Sequence, residues 1–583
     1  MPRLSLKLTT SSLLLGALAL GARPAAACGG FFCSQAQPVN QAAERIIFAQ
    51  NPDASITAVI QILYEGPSEN FSWLLPINGV PANDQLGVAS DVAFQRLQFA
   101  TNPQFNLTTT VEGSCRGEFA AQDTPTAGGS AANPVRETCE DNALLAGCDV
   151  NVEASGVVGA FEWTVLSVNP NVEDPVAPTL EWLTQNGYDV TPQGTALLGP
   201  YLADGMNLLA LRLTKGADTG SIRPIQITYP AAAPMIPIKL TAVAANEDMG
   251  VMAWVLSSAR AVPFNYNALE LNEARINWFN AASNYEQVVN EAADDAGGNG
   301  FVTEFAGPAS QLASVVWQDV EEQSWQQVKG ATYSNFDSLF ETVYSNYSNL
   351  DGFWDAMRRT VTLPDDISFE DFKLCPTCYS GRLEFSPAAL MAAIESDVIE
   401  PMRSVQRLID QAPYATRLYS TLSASEMTID PVFVFNQDLP EVSNVHQATR
   451  VIECDRAVYQ SEAPWRIEFP QGSVIRGNAQ TFGAWPDAIA AQPANFQVLM
   501  LAASGDGQIV ADNKEAIDSV LASYNETLPP REPRGSSSTT TMLDQSGGLC
   551  SLPIPPGASR SKPLSLGLGL LAAATWARRR RGA

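Results

Sequence analysis

The sequence predicts an α+β protein: a β-rich N-terminal unit, then a helical unit, then a small closing α+β segment. Three observations carry this expectation. Apolar residues recur with a period of two between Ile46 and Leu256, and from about Asn267 the period lengthens to that of a helix. After Asp430 and Pro431, short strand patterns are followed by one last amphipathic helix. The expected divisions are 28–265, 266–425 and 426–528, flanked by a leader over 1–27, a flexible stalk over 529–549 and a tail over 550–583.

The leader has the form of a signal peptide. Arg3 and Lys7 precede an apolar run, Leu13 to Leu20, too short to span a bilayer, and Ala25 and Ala27 make a small-residue cleavage pattern. Processing after Ala27 leaves Cys28 at the start of the mature chain. Acylation of Cys28 is the less favoured alternative, because Ala25 stands where such signals carry leucine.

Within the β-rich unit, Ile56, Ala58, Ile60, Ile62 and Tyr64 alternate along one strand, Gly66 and Pro67 supply a turn, and Phe71, Trp73 and Leu75 alternate along the next. A second hairpin of the same kind is expected from Ile236, Ile238, Leu240 and Ala242, a turn through Asn246 to Gly250, and Val251, Ala253 and Val255. Trp73 and Trp254 sit midway along the second strand of each. Further strands are expected at Phe161 to Val168, Leu208 to Thr214 and Ile225 to Tyr229, and a short helix from Leu180 to Gln185 stops at Asn186 and Gly187. Ala121 to Pro134, rich in Thr, Gly, Ala and Pro, has the composition of a loop.

In the helical unit, Phe336, Leu339, Phe340, Val343, Tyr344 and Tyr347 form an apolar stripe behind a Ser334 to Asp337 capping pair. Ser386 as cap and Pro387 at the first position open a long helix through Leu390, Ile394, Val398, Met402, Val405 and Ile409, with a kink at Pro401. The closing segment has a strand at Phe496 to Leu501 and a helix capped by Asp512, with Glu515 behind it and Ile517, Val520, Leu521 and Tyr524 on its buried face. Pro529 to Gly548 then turns to Pro, Arg, Ser and Thr, the composition of a flexible stalk.

The tail holds Cys550, an apolar run from Leu564 to Trp576 and the cluster Arg578 to Arg581. As a helix that run reaches about 20 Å, short of the ~30 Å hydrocarbon core, so it suits a transient stop better than a permanent span. This order of cysteine, short apolar helix and arginines resembles the MYXO-CTERM sorting tail, which implies cleavage near Cys550 and transfer to the cell surface on a lipid.

Apart from Cys550, the cysteines are Cys28, Cys33, Cys115, Cys139, Cys148, Cys375, Cys378 and Cys454. An even set in an exported chain is expected to form disulfides, although sequence alone does not choose among roughly 105 pairings. Short loops favour Cys28 with Cys33 and Cys375 with Cys378; Cys139 is expected to pair with Cys148 or Cys115.

The net charge of −28 makes nucleic acid and anionic bilayers poor partners, so membrane contact is expected only through the C-terminal tail, and the partner is an unidentified surface or envelope component. No cofactor is implied. Ca²⁺ is the one cation worth weighing, at Asp294, Asp295 and Asn299 or at Asp506 and Asp512, although neither set has EF-hand spacing.

Catalytic signals are weak. Cys375-Pro376-Thr377-Cys378 has redox spacing, but neither a helix start nor a thioredoxin-like strand–helix pattern surrounds it, which favours a structural staple. His446, the single histidine, has no nucleophile elbow or zinc motif to serve, which favours a hydrogen-bonded structural role. A two-carboxylate hydrolase needs a pair that spacing does not reveal. No residue is assigned to catalysis, cofactor or metal. The expected class is a non-enzymatic binding or envelope-structural protein, with an exported carboxylate hydrolase or thiol oxidoreductase as the alternative.

Several stretches carry a family resemblance: Cys28 to Cys33 (CGGFFC), Ala43 to Ala49 (AERIIFA), Phe71 to Pro76 (FSWLLP), Leu271 to Ile276 (LNEARI) and Met427 to Phe433 (MTIDPVF). In these the chain resembles Domain of Unknown Function 2330, a family of exported bacterial proteins. The resemblance implies export and carries no activity.

Overall fold

The computed structural model describes residues 40–65, 72–82, 85–116, 150–169, 172–188, 192–213, 223–243, 245–456, 458–478 and 485–528. Ala27, Cys28, Cys33, the 121–134 loop, Cys139, Cys148, the 529–549 stalk and the tail with Cys550 lie outside the described residues.

The centre is a ten-stranded mixed sheet. Its order is Gln508–Asp512, Asn495–Met500, Asn267–Leu271, Gly300–Pro308, Tyr414–Leu422, Ala245–Ser257, Asn40–Gln50, Ser55–Glu65, Ile225–Pro230 and Leu86–Val88. Two neighbouring pairs are parallel, Asn40–Gln50 with Ala245–Ser257 and Asn267–Leu271 with Gly300–Pro308. Strands come from before residue 265, from 266–425 and from beyond 426, so the sheet runs across both sequence divisions.

Strand periodicity sorts side chains onto two buried faces. Ile46, Phe48, Val251, Ala253 and Val255 point one way, into a core shared with Trp73, Leu75, Trp163, Leu209 and Leu211. That partner is a four-stranded sheet, Ser72–Ile77, Asn207–Leu213, Phe161–Val168 and Val150–Val158. Ile47, Ala49, Met252, Trp254 and Leu256 point the other way, under helices that include Asp91–Thr101, Tyr285–Asp295, Phe336–Tyr347 and Glu400–Gln411. A second four-stranded sheet, Val474–Gly477, Trp465–Glu468, Val445–Cys454 and Gln104–Gly113, contributes Ile452, Trp465 and Ile467 to that same core. Among the described residues no helix is long and apolar enough to cross a membrane.

Neither expected hairpin forms. Ser55–Glu65 and Ser72–Ile77 belong to different sheets and do not pair, and the turn expected at Gly66 and Pro67 lies outside the described residues. In the second case Pro234 and Pro237 withhold the N–H groups a strand needs, and Ile238–Thr241 is a short helix whose Lys239 N–H donates to Asp430 Oδ1 at 3.0 Å. The expected turn at Asn246 to Gly250 is part of the strand Ala245–Ser257, with Asp248 at φ 52° absorbing the bend.

Helices follow the sequence more closely. Phe336–Tyr347 buries Phe336, Leu339, Phe340, Val343 and Tyr347, but its cap is Asn335, whose Oδ1 accepts from Ser338 N at 2.9 Å, in place of Ser334. Ser386 and Pro387 open Pro387–Ile394 as expected. The closing helix is Lys514–Thr527, where Asp512 Oδ1 accepts from Lys514 N at 3.0 Å.

Pro401 lacks the N–H that would serve the Asp397 carbonyl four residues earlier. The chain answers with a π-helical turn, Glu395–Ile399, and Arg223 Nη1 donates to that carbonyl at 2.7 Å. Gly352 packs against this junction at φ 83°, where an added Cβ would stand 2.4 Å from Asp397 O and 2.7 Å from Arg223 Nη1. Both the left-handed backbone and the close approach require glycine. Gly352→Ala is therefore expected to cost about 2 kcal/mol or more. Urea unfolding of the two chains checks this, and an unchanged midpoint would contradict it.

Candidate functional site

Arg417 lies on the inner strand Tyr414–Leu422, opposite Trp254, and its side chain is only 2% exposed. Its Nε faces Glu304 Oε2 at 2.5 Å, and its Nη1 donates to Gln98 O at 3.1 Å, Thr101 Oγ1 at 3.1 Å and Asn102 Oδ1 at 2.8 Å. Those acceptors lie at the C-terminal end of helix Asp91–Thr101, where unsatisfied carbonyls favour a cation. Glu304 reaches Arg417 because it sits in a register shift between Thr303 and Phe305, a bulge that re-aims one side chain. Tyr285, the first residue of helix Tyr285–Asp295, donates its hydroxyl to Glu304 Oε1 at 2.7 Å. Burial pushes the Glu304 carboxyl above its ordinary value, while Arg417 and Tyr285 pull it back.

Two cavities meet at this group. The larger, about 580 Å³, and the smaller, about 380 Å³, share Phe105, Tyr285 and Glu304 in their walls. Both volumes fall in the range of small-molecule sites. The smaller is polar, with Glu44, Arg45, Glu286, Arg417 and Tyr419 among its lining. Glu44 is buried and held by Gln41 Nε2 at 3.2 Å and Thr241 Oγ1 at 3.4 Å; burial pushes its carboxyl up to about 7.

The larger cavity contains His446. Its Nδ1 lies 2.7 Å from Glu273 Oε1, and its ring stacks on Phe105 at 4.5 Å and 11°. The stack follows from register, since His446 and Phe105 are paired across the parallel strands Val445–Cys454 and Gln104–Gly113. The Nδ1–H tautomer of the imidazole is the one that can donate to this carboxylate. Among the described residues, Glu273 is the hydrogen-bond partner of the imidazole, and no hydroxyl or thiol is aligned with it as a nucleophile.

The cysteine expectations are partly revised. Cys375 and Cys378 are bonded to each other, and Cys375 closes helix Phe369–Leu374, followed by a 3-10 turn, Pro376–Arg382. The α-helical N-terminus that would activate its thiol is not there, and neither cysteine lines either of these two cavities. Cys115 pairs with Cys454, 339 residues away, and with neither Cys139 nor any other nearby cysteine. The cause is the parallel pairing of Gln104–Gly113 with Val445–Cys454, which ends with Gly113 beside Cys454. A preference for short loops does not see such a contact.

Asp512 accepts from Gln497 Nε2 at 2.9 Å, Asn299 Nδ2 donates to Gly297 O at 2.9 Å, and Asp506 lines the larger cavity. Among the described residues no group of three or more His, Cys, Asp or Glu side chains is placed to hold a metal ion. Arg417, Glu304 and Tyr285 were invisible to motif reasoning. Their only signal was an arginine inside an otherwise strand-forming stretch, Tyr414 to Leu422.

A family model described as "Uncharacterized protein conserved in bacteria (DUF2330)" matches residues 22–321. The match takes in Glu44, Phe105, Glu273, Tyr285 and Glu304 and ends before Arg417 and His446. No curated protein and no solved structure matches the chain.

Burial of Glu44 makes stability depend on pH. The folded chain keeps its proton up to about pH 7, whereas the unfolded chain releases it near 4.5, so this residue's contribution is complete below 4.5 and is lost as pH rises through 7. Relative to Glu44→Gln, the wild-type chain is expected to lose roughly 3 kcal/mol across that window. Urea unfolding at several pH values measures the difference, and a difference that does not change with pH would contradict the assignment.

Proposed function

The chain belongs to the bacterial family DUF2330, and from that premise we propose that it is an exported, surface-held protein that binds a small molecule in its larger cavity and does not transform it. The single observation that carries binding is the cavity itself: about 580 Å³, walled by Phe105, Tyr285, Leu269 and Leu499, and set against a buried ion pair.

Turnover is the weaker alternative. Glu304 is engaged by Arg417 and Tyr285, and His446 by Glu273, so the strongest acid–base groups are already committed to one another. A hydrolase would need an aligned nucleophile or a free carboxylate pair. Export is supported by the leader ending at Ala27, by the bonded Cys115–Cys454 and Cys375–Cys378 pairs, and by the tail that begins at Cys550. In this reading the tail holds the protein at the outer surface and is its only membrane contact.

The binding test is a fluorescence titration with N-phenyl-1-naphthylamine, a neutral apolar probe. Wild-type protein is expected to bind it with blue-shifted emission. Leu439→Trp, which fills space in the cavity wall, is expected to weaken binding at least tenfold, about 1.4 kcal/mol, without lowering Tm. Equal binding by both chains would move the site elsewhere. Anchoring is tested separately with Cys550→Ser, which is expected to shift the protein from the cell-associated fraction to the medium; an unchanged distribution would contradict the role given to the tail.

A further inference from the structure

We propose that the occupant of the larger cavity is an organic cation: a protonated amine carried on an apolar body. This inference rests on the binding reading above and specifies the chemistry of its ligand.

The walls set the apolar part. Leu269, Ile276, Val302, Leu499 and Leu501 line the cavity, so a ligand without an apolar body would leave that surface wet. The charges set the rest. Glu304 is neutralised from behind by Arg417, which leaves Glu270, Glu273, Glu441 and Asp506 against the single guanidinium of Arg260. Arg260 is held along the wall, with Nη1 donating to Pro440 O at 3.1 Å and Nη2 to Thr303 Oγ1 at 3.4 Å. Glu270, Glu441 and Asp506 are exposed, whereas Glu273 lies deeper, its side chain 12% exposed. An arriving cation therefore meets a field that draws it in and a carboxylate that receives it.

Glu273 gives the direct observation. Its Oε1 is hydrogen-bonded to His446 Nδ1, while its Oε2 is enclosed by protein with no hydrogen-bond partner. A buried carboxylate oxygen without a donor is costly, and a positive charge beside the carboxylate offsets part of that cost. An ammonium in the cavity supplies that charge next to Glu273. The rings of Phe105 and Tyr285 in the same lining add attraction for a cation. A bare divalent ion is a poor substitute, because it needs several oxygen ligands and the described residues offer no cluster of three.

The experiment displaces the neutral probe from the full-length protein with three ligands of equal chain length: n-hexylammonium, 1-hexanol and hexanoate. Hexylammonium is expected to displace the probe at a concentration at least tenfold below that of hexanoate, with hexanol between them. In Glu273→Gln, which keeps an acceptor for His446, that advantage is expected to fall below threefold, each displacement being scaled to the variant's own affinity for the neutral probe. If that variant does not fold, the exposed pair Glu441→Gln with Asp506→Asn takes its place. It is expected to reduce both the ammonium preference and its sensitivity to added salt. Hexanoate equal to or better than hexylammonium would overturn the inference, as would a preference that survives both variants. In those cases the binding reading stands, since the neutral probe still binds. Failure of the neutral probe to bind would instead remove the binding reading itself.

Discussion

A guanidinium buried in the middle of a sheet has to be answered on every side, and the architecture around Arg417 is organised to answer it. Left uncompensated, such a charge costs about 3–5 kcal/mol, a large share of the stability of any domain. The answers come from three parts of the chain. A bulge in Gly300–Pro308 turns Glu304 toward it, the end of helix Asp91–Thr101 presents its carbonyl and two polar side chains, and the Trp254 ring lies 5.5 Å away. Because Glu304 is committed to Arg417, the Tyr285 hydroxyl is drawn to its other oxygen, and the wall common to both cavities is set.

What the sequence disclosed and what it hid divide along physical lines. Period and capping are local, so Phe336–Tyr347, the Ser386–Pro387 start and the strand Phe161–Val168 were legible from neighbouring residues. The innermost strands were not. Tyr414–Leu422 carries Thr416, Arg417, Ser420 and Thr421, all buried, and shows no apolar alternation because each polar group finds a partner: Ser420 donates to Gly300 O, and Thr421 to Asn290 Oδ1. Gly300–Pro308 is covered on both faces and equally lacks the period-two signal. The short helix Ile238–Thr241 was hidden behind a strand-like spacing that two prolines overrule.

The cavity was the least legible feature, since its lining runs from Phe105 to Asp506 and no window of sequence holds more than a fragment of it. Its parts were nevertheless noticed separately. The LNEARI stretch contains Glu273, and His446 was taken as a histidine held by a hydrogen bond, which is how it stands against that glutamate. Tertiary pairing supplied what spacing lacked: the parallel strands Gln104–Gly113 and Val445–Cys454 place Phe105 under His446 and, at their far end, Cys115 beside Cys454.

That last bond has a mechanical meaning. It joins residues 339 apart, so tension applied between the N-terminal region and the C-terminal end passes from residue 115 directly to residue 454. Everything between them is a covalently closed loop that such a pull does not stretch. Glu273, Tyr285, Glu304, Arg417 and His446 all lie inside it. A pull between the two ends would bypass these five residues, while Phe105, Leu499 and Leu501 of the same cavity lie on the flanking segments that carry the strain.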